Sequence, residues 1–154
     1  MFWKRKRLVT PDDLASALMA DCLSKPCVEP ARSDMALQER ERFDEQATYQ
    51  IATVLFGLGM EGKKRPEFLK IPAIIITKLQ SVDGGEEAVA EVKNASYKLG
   101  ELFTSTAKQF SWARTWYADI GIDESNPAVL GDLATNWLAY LGTTLRVLRG
   151  FAIK

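Results

Sequence analysis

The sequence predicts an all-α protein: a bundle of four main helices with a short helix ahead of them, closed at its C-terminal end by an antiparallel helical hairpin. Every strong apolar periodicity in the chain has the spacing of one face of a helix. The segment Pro127–Arg149 is amphipathic over its whole length. Only Ile74-Ile75-Ile76-Thr77 has strand-like composition, and no second segment offers it a strand to pair with.

Pro127–Arg149 places Leu130, Ala134, Trp137, Leu141, Thr144 and Leu148 on one line, with Leu133, Tyr140 and Val147 on one flank and Leu138 and Leu145 on the other. Burying each large side chain contributes about 1.5 to 3 kcal/mol, so the segment needs neighbours and is expected at the centre of the bundle. Its opposite side carries a line of small residues, Gly131, Thr135, Ala139 and Gly142.

From the start of the chain, residues 1–9 read as a basic tail, with Phe2 and Trp3 beside Lys4, Arg5, Lys6 and Arg7. Thr10 is a capping residue, Pro11 suits the first helical position, and Asp12 and Asp13 complement the positive helix end. Leu14, Ala17, Leu18 and Cys22 form the stripe of a helix that Pro26 and Pro30 bring to a stop. A second helix opens at Ser33. Its first half is highly charged, its second half carries Ala47, Ile51, Val54 or Leu55, and Leu58, and Gly57, Gly59 and Gly62 are its expected end.

Pro66–Val82 keeps helical spacing through Phe68 or Leu69, Pro72, Ile75 or Ile76, Leu79 and Val82, with Pro72 in the first turn or at a kink. Asp83-Gly84-Gly85-Glu86 is a turn followed by a helix start, with Asp83 as the expected cap. The helix that follows is read as the longest, along Val92, Ala95, Leu99, Phe110, Ala113, Tyr117 and Ile120, with a weak point at Gly100. Gly121 ends it, and the short loop to Pro127 makes the last two helices antiparallel. Residues 10–154 are therefore expected to form one domain.

Lys plus Arg and Asp plus Glu both number 20, so the chain as a whole has no net field to attract nucleic acid or a membrane. The only nucleic-acid contact expected is a weak one through Lys4, Arg5, Lys6 and Arg7. Cys22 and Cys27 match no metal or redox spacing and read as reduced thiols of a cytoplasmic protein, with a local disulfide as the alternative. No secretion signal or transmembrane segment is expected, because charged residues interrupt every apolar stretch.

With no histidine in the chain, the commonest general base and the histidine-dependent nucleophile pairs are excluded. Carboxylates remain. Glu39, Glu41, Asp44 and Glu45 on one helix and Glu86, Glu87 and Glu91 on another have the composition of a magnesium-dependent hydrolase, but the paired spacing of that chemistry is incomplete. Acids in such a run usually form a solvated face. No cofactor is expected, and no family motif is recognisable.

The aromatic residues are more informative. Trp116, Tyr117, Trp137 and Tyr140 suit a packed cluster, whereas Trp112 falls off its stripe and needs a cover. Two readings follow. The first is a non-enzymatic helical interaction protein, self-associating as a homodimer or docking a helical partner. The second is a small-molecule binder whose pocket is lined by Trp112, Arg114, Trp116, Trp137 and Tyr140, the rings stacking a planar ligand and the arginine meeting its anionic group.

Overall fold

Thr10 starts the first helix in the way its chemistry predicts. In the computed structural model, which describes residues 6–23, 39–103 and 127–154, the Thr10 hydroxyl accepts the Asp13 backbone N–H at 3.1 Å and donates to the Asp13 carboxylate at 2.7 Å. Pro11 holds the first helical position of α1, Pro11–Cys22. Its buried residues are Leu14, Ala15, Leu18 and Cys22; Ala17, expected on the stripe, is exposed.

The other helices are α2 at Glu39–Gly62, α3 at Ile71–Gln80, α4 at Gly85–Phe103 and α5 at Pro127–Arg149, with a 3-10 turn over Pro66–Lys70 leading into α3. The described residues are mostly helical, as the periodicity requires. The β-branched run of α3 is helical, with Pro72 in its first turn, where a missing N–H costs nothing. Leu130 and Ala134 of the C-terminal stripe, and the segment proposed to close the hairpin, lie outside the residues described at side-chain level.

Two expectations are corrected. The central helix is α2 rather than α5: it packs against α1, α3, α4, α5 and the 3-10 turn. Along α2, Tyr49, Gln50, Ile51, Ala52, Thr53 and Val54 are all buried, so it is enclosed on every side there. Gly57 and Gly59 accordingly sit inside the helix and do not end it. The second correction concerns the tail. Arg7–Val9 forms a short strand, β1, paired in parallel with β2 at Phe151–Ile153, in the register Arg7 with Phe151, Leu8 with Ala152 and Val9 with Ile153. Two hydrogen bonds frame the pair, Arg7 N–H to Gly150 C=O and Lys154 N–H to Val9 C=O, each 2.9 Å.

Helices α2 and α5 run parallel, because their contacts advance together: Thr53 meets Trp137, Gly57 meets Leu141 and Thr144, and Glu61 meets Arg149. Gly57 is a point of close contact between them, since a Cβ there would lie 3.3 Å from Thr144 Cγ2 and 3.7 Å from Leu141 Cδ1. The turn into α4 depends on a glycine pair. Gly84 has φ of 72°, the left-handed region, and a Cβ on Gly85 would overlap the carbonyl oxygens of Leu79 and Gln80. Helix α4 starts at Gly85, with Gly84 C=O taking the Ala88 N–H at 3.0 Å, one residue later than an Asp83 cap would place it.

On α5 the stripe is as expected where it is described. Trp137, Leu141, Thr144 and Leu148 are buried, whereas Ala139, Gly142 and Thr143 are exposed. Leu141→Ala should therefore cost about 2 to 5 kcal/mol in denaturant unfolding, and Thr143→Ala less than about half a kcal/mol. Equal losses at the two positions would show the face assignment to be wrong.

Candidate functional site

Of the five residues read as a ligand-binding group, Trp112, Arg114 and Trp116 lie outside the described residues. The other two, Trp137 and Tyr140, lie one turn apart on α5 and belong to a buried polar lattice that ties α1, α2 and α5 together. The Trp137 indole N–H donates to Thr53 Oγ1 at 2.7 Å, and the Thr53 hydroxyl donates in turn to Tyr49 C=O, also at 2.7 Å. Each polar atom in this relay has a partner, as burial demands.

The Tyr140 hydroxyl stands 3.4 Å from Cys22 Sγ, within reach of a weak sulfur hydrogen bond. Gln50 Nε2 donates to Cys22 C=O at 3.3 Å and so satisfies a carbonyl at the end of α1. Burial pushes the Cys22 thiol up to about 11, despite an opposing contribution from Tyr140. Burial likewise raises the Tyr140 phenol well above its ordinary value. Both groups are neutral near pH 7, and a neutral buried thiol is a poor nucleophile. Cys22 is a free thiol, while Cys27 lies outside the described residues.

A second cluster joins the C-terminal ends of α2 and α5, and the sequence reading missed it. Glu61 is buried, and Arg65 reaches it at 2.9 Å through Nε. The remaining nitrogens of the Arg65 fork reach different oxygens: Nη1 donates to Phe151 C=O at 2.7 Å and Nη2 to Leu148 C=O at 2.8 Å. Its planar head also lies 4.1 Å from the centre of the buried Phe68 ring. One guanidinium thus caps the last turn of α5, pins β2 and neutralises a buried carboxylate. Arg149 adds a looser contact to Glu61 at 3.8 Å. The signal in the sequence was the Glu61-to-Arg65 spacing of four at a helix end, an arrangement that favours a side-chain pair.

The carboxylates read as a magnesium site do not assemble among the described side chains. Glu86, Glu87 and Glu91 are exposed on α4, and no group of metal-ligating residues occurs among the described residues. The side chains of Glu39, Glu41, Asp44 and Glu45 lie outside them. No helix among the described residues is long and apolar enough to cross a membrane. No protein-family model, curated protein or solved structure matches this chain.

Proposed function

We propose that the chain is a non-enzymatic helical interaction protein that self-associates through the outer face of α5. The observation that carries this reading is the two-sidedness of that helix. Its inner line is buried, whereas Leu138 is 48% exposed beside Thr135, Ala139 and Gly142, with open space where a Gly142 Cβ would stand. Small residues let a second backbone approach closely, and a leucine beside them supplies apolar area.

In this reading, the chain from β1 onward acts as a single bundle of four main helices behind the short α1. The last two form the antiparallel hairpin, and Trp112 borders a two-fold interface between copies. A cytoplasmic setting suits the free Cys22 thiol.

The small-molecule reading has less support. The Trp137 N–H and the Tyr140 hydroxyl already face protein partners, so neither is held ready for a ligand. A non-enzymatic role also accords with the neutral state of Cys22 and Tyr140 near pH 7.

Sedimentation equilibrium tests the proposal. The wild-type chain should show a concentration-dependent monomer–dimer equilibrium at roughly micromolar to tens of micromolar protein. Leu138→Glu and Gly142→Glu should move it to monomer without lowering the melting temperature. A wild-type chain that stays monomeric at about 100 μM would overturn the proposal.

A further inference from the structure

The basic residues of this net-neutral chain are not spread evenly over its fold. Both strands, the C-terminal ends of α2 and α5 and the 3-10 turn meet at one end, joined by the Arg65 clasp and the Arg7-to-Gly150 hydrogen bond. That end carries Lys6, Arg7, Lys63, Lys64, Arg65, Lys70, Arg146, Arg149 and Lys154, and Lys78 lies nearby at its ion pair with Asp12. Among the described residues, four acids stand against these ten cations: Glu61, Glu67, Asp12 and Asp13. In the sequence, Lys4 and Arg5 directly precede Lys6.

Part of this charge answers the negative ends of two parallel helices. Each macrodipole is worth only about half an elementary charge at its end, so the pair accounts for about one of the six excess cations. The remaining excess sits on side chains turned to solvent: Lys6, Arg7, Lys63, Lys64, Lys70 and Lys154 are all exposed.

Apolar side chains are exposed among them. Leu8 is 56% and Leu69 54% exposed, and Met60 and Val147 are also open to solvent. The period of two along a strand puts Lys6 and Leu8 on the same face of β1, and the parallel register sets Leu8 beside Ala152 and leaves Lys154 on the same face of β2. The other face packs Val9, Phe151 and Ile153 against the core. The outer face of the sheet is therefore an apolar centre with a lysine at each end. Leu69, which packs on Gly62, repeats the arrangement between Lys63-Lys64 and Lys70.

We infer that this end of the molecule docks on an anionic phospholipid bilayer surface, its lysines and arginines meeting the headgroups while Leu8 and Leu69 enter the interfacial layer. Charge complementarity selects a polyanionic surface. The exposed aliphatic residues between the cations favour a bilayer over nucleic acid, whose phosphates offer them nothing to enter. Leu8, Leu69, Lys63 and Lys64 lie on other elements than the Leu138 side of α5, which Arg146 and Arg149 continue at helical spacing, so substitutions at the first four leave the face proposed for self-association unaltered.

Vesicle co-sedimentation of the full chain at physiological ionic strength tests this, with phosphatidylcholine vesicles prepared with and without phosphatidylserine. The chain should pellet with the anionic vesicles and not with the neutral ones. Reversing Lys63 and Lys64 together to Glu should weaken binding by more than about tenfold. Leu8→Ser with Leu69→Ser should weaken it several-fold at unchanged charge. Lys6→Glu with Lys154→Glu provides a second charge reversal that spares the helix end, and circular dichroism and melting temperature establish that each variant is folded.

Failure to bind phosphatidylserine vesicles would overturn the inference, as would binding indifferent to the folded charge-reversal variants. So would binding that ignores the leucines and is purely salt-dependent, or capture by a DNA duplex in preference to the vesicles.

Discussion

Trp137→Ala should lower the unfolding free energy by about 3 to 5 kcal/mol, a substantial share of what holds a domain of this size together. The side chain is only 3% exposed and stands where α5 faces the enclosed stretch of α2. Truncation leaves a cavity between two parallel helices and removes the donor to Thr53. Trp137→Phe separates these effects. It keeps most of the volume and strips the Thr53 hydroxyl of its incoming hydrogen bond while leaving its donation to Tyr49, so the expected loss is about 1 to 3 kcal/mol. Chemical denaturation of the two variants measures both. If phenylalanine proved as costly as alanine, the hydrogen bond and not the packing would dominate the site.

Arg65→Ala should be comparably severe, about 3 to 5 kcal/mol, because among the described residues it leaves the buried Glu61 carboxylate with Arg149, at 3.8 Å, as its one cationic partner. It also removes the donors to Leu148 and Phe151, loosening the end of α5 and the strand beyond it. Arg65→Lys should recover less than half of the loss, since a single ammonium cannot reach three oxygens arranged for the guanidinium fork. Glu61→Gln in the Arg65→Ala background should restore part of the stability by removing the stranded charge. If the double variant were no more stable than Arg65→Ala, the buried carboxylate would not be the source of the cost.

Local chemistry was readable in the sequence. Thr10 and Pro11 announced the start of α1, Pro72 marked the first turn of α3, and the line through Trp137, Leu141, Thr144 and Leu148 gave the buried side of α5. Each of these signals is complete within about three helical turns. The central place of α2 was hidden because its buried positions include Gln50, Thr53 and Glu61, polar residues that blur the apolar period. Their burial draws on partners that the local pattern does not show: Cys22 C=O for Gln50, the Trp137 indole beside the local Tyr49 C=O for Thr53, and Arg149 beside the local Arg65 for Glu61.

The strand pair was hidden for a related reason. Arg7–Val9 is too short to show a period, and its partner lies at Phe151–Ile153. The candidate pocket was half legible. Trp137 and Tyr140 do lie together on one helix, but what they face comes from α1 and α2, and sequence spacing cannot reveal it.

The parallel pairing of β1 and β2 also decides how the fold meets tension. A pull applied through Lys6 and Lys154 draws β1 toward its beginning and β2 toward its end, so the strands slide past one another. The hydrogen bonds at Gly150 and Val9 are then loaded together, whereas antiparallel neighbours pulled from one end would open like a zipper, one bond at a time. Because Arg65 holds Phe151 and Leu148 from the other side, the same load passes into the ends of α2 and α5. The strand pair and the guanidinium are thus two attachments of the same segment that share the load side by side, a shear clamp that shields the helical core until both yield.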